Sequence, residues 1–274
     1  MTHYICVTCG TQYPESSTPP SHCPICEDER QYVNLDAQTW TTMDELRHEY
    51  RNVLTRLEPG LIEIKTEPHF GIGQRALLVQ THAGNVLWDC VSLIDDETVA
   101  AVEALGGVSY LAMSHPHMHG SLIQWSHAFG NAPILLHASI EKWVMRPDPV
   151  IEYWGDDSYE LNEFVTLYRT GGHFTGSTLL HWNMGADGRG VLLTGDTMHV
   201  TWDLKHVTFM RSYPNYIPLA ADVVDKIVQT VEPLDFDRIY SHFPRLVIGE
   251  DAKEAVQRSA ERYKAAIGAG VLVK

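Results

Sequence analysis

The sequence predicts an α/β protein in which strands and helices alternate in layers, with a small metal-binding ribbon at its N-terminal end. Three observations predict it. Two Cys-x-x-Cys knuckles, Cys6/Cys9 and Cys23/Cys26, are separated by 13 residues. Downstream, short apolar runs rich in Val, Ile and Leu alternate with helix-length segments bounded by Gly, Pro and Asp. Histidines and an aspartate fall at the ends of several of these runs, and layered sheets bring such ends to one edge.

The composition narrows the function. With 274 residues, 44% of them hydrophobic, the chain can bury a full-sized core. A formal net charge of −15 repels phosphate backbones, so nucleic acid is not an expected partner. No apolar run approaches the roughly 18 residues of a membrane span, and no signal-peptide pattern stands at the N-terminus, so no membrane partner is expected. The expected compartment is the cytoplasm. Four of the five cysteines lie in the first 26 residues, a usage that suits a local thiolate metal site in a reducing compartment better than a disulfide framework.

Cys6, Cys9, Cys23 and Cys26 have the spacing at which two tight turns present four sulfurs tetrahedrally to one zinc or iron ion. The segment between the knuckles carries Pro14, Pro19, Pro20 and several hydroxyl residues, so it cannot build a core without the metal. Thr42-Met-Asp-Glu45 fits a capping box, and Met43, Leu46, Tyr50 and Leu54 follow at helical spacing, which predicts a linker helix over 41–57. Glu58-Pro59-Gly60 ends it. The division expected is therefore a ribbon over 1–40, that helix, and a main domain over 58–274. Leu61–Lys65, Arg75–Gln80 and Asn85–Cys90 read as successive strands, and Asp95 heads a helix that Gly106-Gly107 stops.

The strand Val108–Met113 leads into Ser114-His115-Pro-His117-Met-His119-Gly120, and Ser121–Phe129 can follow as a helix. Three imidazoles at alternate positions on such a loop can converge on one small volume, most simply a metal site. Further strands are expected at Pro133–His137, Pro149–Trp154 and Glu163–Tyr168. Gly171-Gly172-His173 then holds an imidazole in a tight turn, the strand Gly190–Thr194 ends at Gly195-Asp196, and Asp237–Ser241 ends at His242. His127, His137, His181, His199 and His206 are isolated and read as ordinary hydrogen-bonded residues. Cys90 reads as a small buried hydrophobe. Arg211, Tyr213 and Tyr216 could line a cleft or pack structurally.

Two resemblances extend this reading. The knuckles, with Tyr13 and Pro19-Pro20, resemble the rubredoxin-like domain of rubrerythrins over about residues 3 to 34, with Glu27 where that family has a second knuckle glycine. The order His115-x-His117-x-His119, Gly172-His173, Gly195-Asp196, Ser241-His242 resembles the metallo-β-lactamase superfamily over roughly residues 58 to 270. That resemblance implies a four-layer αβ/βα sandwich of two mixed sheets, with metals in a cleft at one edge. It also implies that His115, His117 and His173 bind a first metal, that Asp196 bridges to a second, and that His242 completes the second site. The family pattern is His-x-His-x-Asp-His, so His119 stands where the aspartate belongs and Gly120 where the next histidine belongs. His119 could remain a ligand, or could orient water and donate a proton as an imidazole titrating near neutrality.

The function expected is metal-dependent hydrolysis of a small ester, thioester, lactone or amide, with Asp196 and His119 as the catalytic residues. One or two zinc ions serve the main site, where iron is also compatible. The partner expected is a small-molecule substrate, and a homo-oligomer is allowed. Two other readings fit the sequence: an iron-dependent oxidoreductase or persulfide-type dioxygenase served by the ribbon, and a non-catalytic metal-binding protein.

Overall fold

The computed structural model describes residues 1–269; the last five residues of the main domain expected over 58–274 lie outside it. The chain divides into two compact units, Met1–Trp154 and a second that begins at Gly155.

The first unit opens with a three-stranded antiparallel sheet in the order Gln12–Ser16, Thr2–Cys6, Trp40–Thr42. The helix that follows begins where the sequence indicates. Thr42 accepts from the backbone of Glu45, and the Glu45 carboxylate accepts from the backbone of Thr42, which completes the capping box. It runs only over Met43–Glu49, however, and Arg51–Glu58 is a strand. The expected helix over 41–57 is therefore corrected. Glu58-Pro59-Gly60 turns a hairpin, with Gly60 at φ 85°, and pairs Arg51–Glu58 antiparallel with Leu61–Glu67 from Arg51↔Glu67 to Glu58↔Leu61. A ladder with a strand partner overrides the helical spacing of Leu54.

These two strands are one end of a seven-stranded sheet that continues through Arg75–Val79, Val86–Trp88, Tyr110–Ala112, Ile134–His137 and Ile151–Trp154. The first four strands are antiparallel neighbours and the last four parallel ones, so Val86–Trp88, Tyr110–Ala112 and Ile134–His137 point their C-terminal ends the same way. Val86–Trp88 and Ile134–His137 are buried throughout, as sheet strands covered on both faces must be. Asp95 caps the helix Asp96–Glu103 through the Thr98 amide, and Gly106 and Gly107, both at positive φ, end that segment.

The second unit carries a six-stranded sheet in the order Ser158–Asn162, Val165–Arg169, Thr178–Trp182, Val191–Leu193, Arg238–Tyr240, Val247–Ile248. Only the pair Val191–Leu193 and Arg238–Tyr240 is parallel. The helices Ala221–Val231 and Ala252–Ala266 pack Val224, Ile227, Val231, Ala255 and Val256 onto Leu192 and Ile239. Neither helix was anticipated from the sequence. Among the described residues no helix is long and apolar enough to cross a membrane.

Candidate metal centres

The four ribbon cysteines are brought together. Cys6 and Cys26 sulfurs lie 3.6 Å apart and those of Cys9 and Cys23 3.7 Å apart. A tetrahedral ion with metal–sulfur bonds of about 2.3 Å needs sulfur separations of about 3.8 Å, so the donor set fits zinc or iron. No cysteine among the described residues is in a disulfide. Tyr13 Oη donates to Cys23 Sγ at 3.1 Å, and Gln38 Nε2 donates to Cys6 Sγ at 3.1 Å. Four thiols this close cannot all ionise on their own. Hydrogen bonds from Cys23 and Cys26 hold the Cys6 thiol well below its ordinary range, while sulfur contacts and burial push Cys9 and Cys26 up. A cation is what lets all four be thiolates.

The knuckles differ in build. Gly10 follows the first at φ 80° and its amide donates to Cys6 O at 2.8 Å. The second is a helical turn, Pro24–Glu27, in which the amides of Cys26 and Glu27 both donate to Cys23 O at 3.0 Å. Glu27 therefore needs no left-handed conformation, which is why the glycine of the rubrerythrin pattern is dispensable here.

The ribbon is also seated on the rest of the first unit. Trp40, Trp143 and Met145 pack against the cysteine cluster. Ser92 Oγ donates to Gly10 O at 2.7 Å, and the Gln12 amide donates to Gly120 O at 2.9 Å.

In the first unit, His115 follows the strand Tyr110–Ala112 directly, and Pro116–Met118 is one 3₁₀ turn that sets His115 and His117 on the same side. Each offers a ring nitrogen within 4.8 Å of the other's, and both side chains are buried. His115 is oriented from behind. Asp89, at φ 60° after the strand Val86–Trp88, accepts from Ser114 N at 2.7 Å and from Ser114 Oγ at 2.9 Å. Ser114 Oγ is in turn 2.8 Å from His115 Nδ1. With its own proton given to Asp89, that hydroxyl accepts from Nδ1–H, and Nε2 carries the lone pair for a metal. Asp89 and Ser114 were not picked out from the sequence; an aspartate directly after a buried strand is the one signal that could have raised Asp89.

His119 lies one turn on and is 1% exposed. Neither ring nitrogen has a hydrogen-bond partner, and burial, with the nearby His115, pushes its pKa down to about 3. Gly120, where the family pattern has histidine, has φ 50°, and a Cβ there would lie 2.9 Å from Val91 O and 3.0 Å from Cys90 O. No side chain fits that position.

In the second unit, Gly171 and Gly172 at φ 67° and 81° turn the chain into His173, whose Nδ1 lies 3.2 Å from Met210 O, leaving Nε2 to carry the metal-binding lone pair. Asp196 follows the strand Val191–Leu193 in a turn closed by Thr197 N→Thr194 O at 3.1 Å. His173 Nε2 and Asp196 Oδ2 are 3.9 Å apart, and both residues are buried. His242, at the end of Arg238–Tyr240, is buried against Phe243. Tyr213 donates to the backbone carbonyls of Asp196 and Thr208, so its role is to brace the Asp196 turn. Tyr216 is exposed.

The isolated histidines have local contacts. His181 Nε2 meets Asp235 O at 2.7 Å, His137 Nδ1 accepts from Ser139 N, His206 pairs with Asp203 and His127 with Asp148. His199 sits against the rings of Tyr213 and Phe243. Cys90 is buried, and burial pushes its thiol well above the ordinary range, as an inert residue requires.

The two sheets, their helices and the order of strand-end histidines and aspartate define a metallo-β-lactamase fold. Solved structures agree: VMB-1 superposes with a TM-score of 0.60 at 12% identity over 79% of this chain and 98% of that one. DIM-1 metallo-β-lactamase gives 0.59 at 11% over 79% and 98%, and a B3 metallo-β-lactamase with an active-site glutamic acid gives 0.53 at 15% over 83% and 94%. The chain belongs to the family of the uncharacterized protein YmaE of Bacillus subtilis (strain 168), with 46% identity over 265 residues and 96% of each chain covered. No family model matches the chain.

Proposed function

We propose that this chain is a metal-dependent hydrolase of a small ester, thioester, lactone or amide. In this reading, which the family order of motifs implies, His115, His117, His173 and Asp196 are metal ligands, with zinc favoured over iron. The observation that carries the reading is the pre-orientation of buried imidazoles. His115 is aimed by the Asp89–Ser114 pair and His173 by the Met210 carbonyl, and a histidine is rarely given such a partner at Nδ1 unless Nε2 has work to do. Three neutral imidazoles and one carboxylate are a donor set that suits zinc.

The bound ion supplies Lewis acidity, lowering the pKa of water and stabilising charge that grows on a carbonyl oxygen. The chain's own residues do the rest. Asp196 contributes the anionic oxygen that tightens the site. Its turn is held by Tyr213 and by the hydrogen bond from Thr194 Oγ1 to Met198 O at 2.6 Å. Burial of all four donors removes competing water and strengthens the attraction between the carboxylate and the cation. A second ion would draw on Asp196 and His242, with no donor from position 120.

The test is turnover of a panel containing an activated ester, a thioester, an acyl lactone and a β-lactam by the metal-loaded chain. Hydrolysis of at least one that is lost in His115→Ala and on chelation is expected. A fully metal-loaded chain that leaves all four intact would contradict the hydrolase reading while leaving metal binding standing.

A further inference from the structure

We propose that the cysteine ribbon is a positioning element for the histidine loop, acting through Gln12, Ser92 and Ser121. It rests on the reading above in one respect, that His115 and His117 bind metal. Where the family pattern has a histidine ligand, this chain has Gly120. The same peptide is where the ribbon attaches, because the Gln12 amide donates to Gly120 O at 2.9 Å. The position has been given over from ligation to docking.

Two routes link the first knuckle to that loop. Along the first, Cys9-Gly10-Thr11 leads into Gln12, which holds Gly120 by its backbone, and whose side chain meets Gln124 and Arg146. Along the second, Gly10 O accepts from Ser92 Oγ at 2.7 Å, and Ser92 O accepts from Ser121 Oγ at 2.8 Å. Ser121 is the residue after Gly120, so both routes end on the same turn. Ser92 packs closely on Gly10: a Cβ there would lie 2.3 Å from Ser92 Oγ. All these groups but Gln124 and Arg146 are buried, so the ties are shielded from water and transmit displacement rather than absorb it. The knuckle conformation at Gly10 follows from the four cysteines converging, so an ion on the sulfurs fixes the far side of the His115–His119 loop.

The experiment is a titration of the full-length chain with Co2+, whose thiolate charge-transfer band reports the ribbon and whose d–d bands, after subtraction of those that a His115→Ala chain still shows, report the histidine site. Ser92→Ala should keep the charge-transfer band, weaken Co2+ at the histidines by about tenfold and shift its d–d bands. Cys9→Ser, with three thiolates left, should diminish and shift the charge-transfer band and weaken the histidine site at least as much. Ser126→Ala removes an equally buried hydrogen bond, to Ala132 O at 2.6 Å, away from either route, and should leave both sets of bands unchanged. Wild-type affinity and d–d bands at the histidines of folded Ser92→Ala overturn the proposal, and this holds even if Cys9→Ser fails to fold. A wild-type chain whose Co2+ spectrum matches that of His115→Ala at every metal level fails the histidine reading itself, and the coupling falls with it.

Discussion

Asp89 shows how much a single carboxylate can do without touching the metal. Its two oxygens accept from Ser114 N and Ser114 Oγ, and Ser114 Oγ faces His115 Nδ1. Asp89→Asn keeps the shape and tolerates the left-handed backbone, but an amide offers one acceptor oxygen where two are needed. We expect metal affinity at the histidines to fall about 10- to 100-fold with little loss of thermal stability, measured by competition with a chromophoric chelator. Gly120 makes the opposite kind of contribution. Gly120→Ala combines positive φ with a backbone contact of 2.9 Å and should destabilise the fold by about 2–4 kcal/mol in urea unfolding. His181 supplies a pH dependence. Burial lowers its pKa from the ordinary 6.5, so the unfolded chain binds its proton more readily than the folded one. Its contribution to stability is thus complete above about pH 6.5 and is lost as pH falls below that value toward the lowered one. His181→Gln should flatten that part of the stability profile.

At the scale of elements, the features that could be read from the sequence are those that depend on near neighbours. The capping box at Thr42, the cap at Asp95, the Gly106-Gly107 stop and the cysteine knuckles all act within a few residues, and each is found in place. Thr42→Ala should cost about 1 kcal/mol, since the Glu45 amide then loses its acceptor. What the sequence hid depends on distant partners. Leu54 continues the helical spacing of Met43, Leu46 and Tyr50, yet Arg51–Glu58 is a strand because Leu61–Glu67 pairs with it across Pro59-Gly60. The seat of the ribbon on Ser92 and Gly120 joins residues far apart in the chain, and no local pattern announces such a contact. Only its place directly after a buried strand could have raised Asp89, because its partner Ser114 lies 25 residues on. His119 was legible as a histidine in the motif but not as a fully buried one, because burial is set by packing of the whole unit.

At the scale of the whole molecule, the fold places an oriented pair of donors in each unit, His115 with His117 and His173 with Asp196, and a separate thiolate site in the ribbon. The order of motifs along the chain was enough to anticipate the metallo-β-lactamase fold, because strand ends hold their position in the order even when strands are only three residues long. Metal held at the histidines and Asp196 is proposed to be separate from metal held at the cysteines. The most direct test is element-specific mass spectrometry of the intact chain, purified without added metal, beside His173→Ala. At least two transition-metal ions per wild-type chain are expected, with only the cysteine-bound one retained in His173→Ala. One ion per chain in both proteins would contradict it.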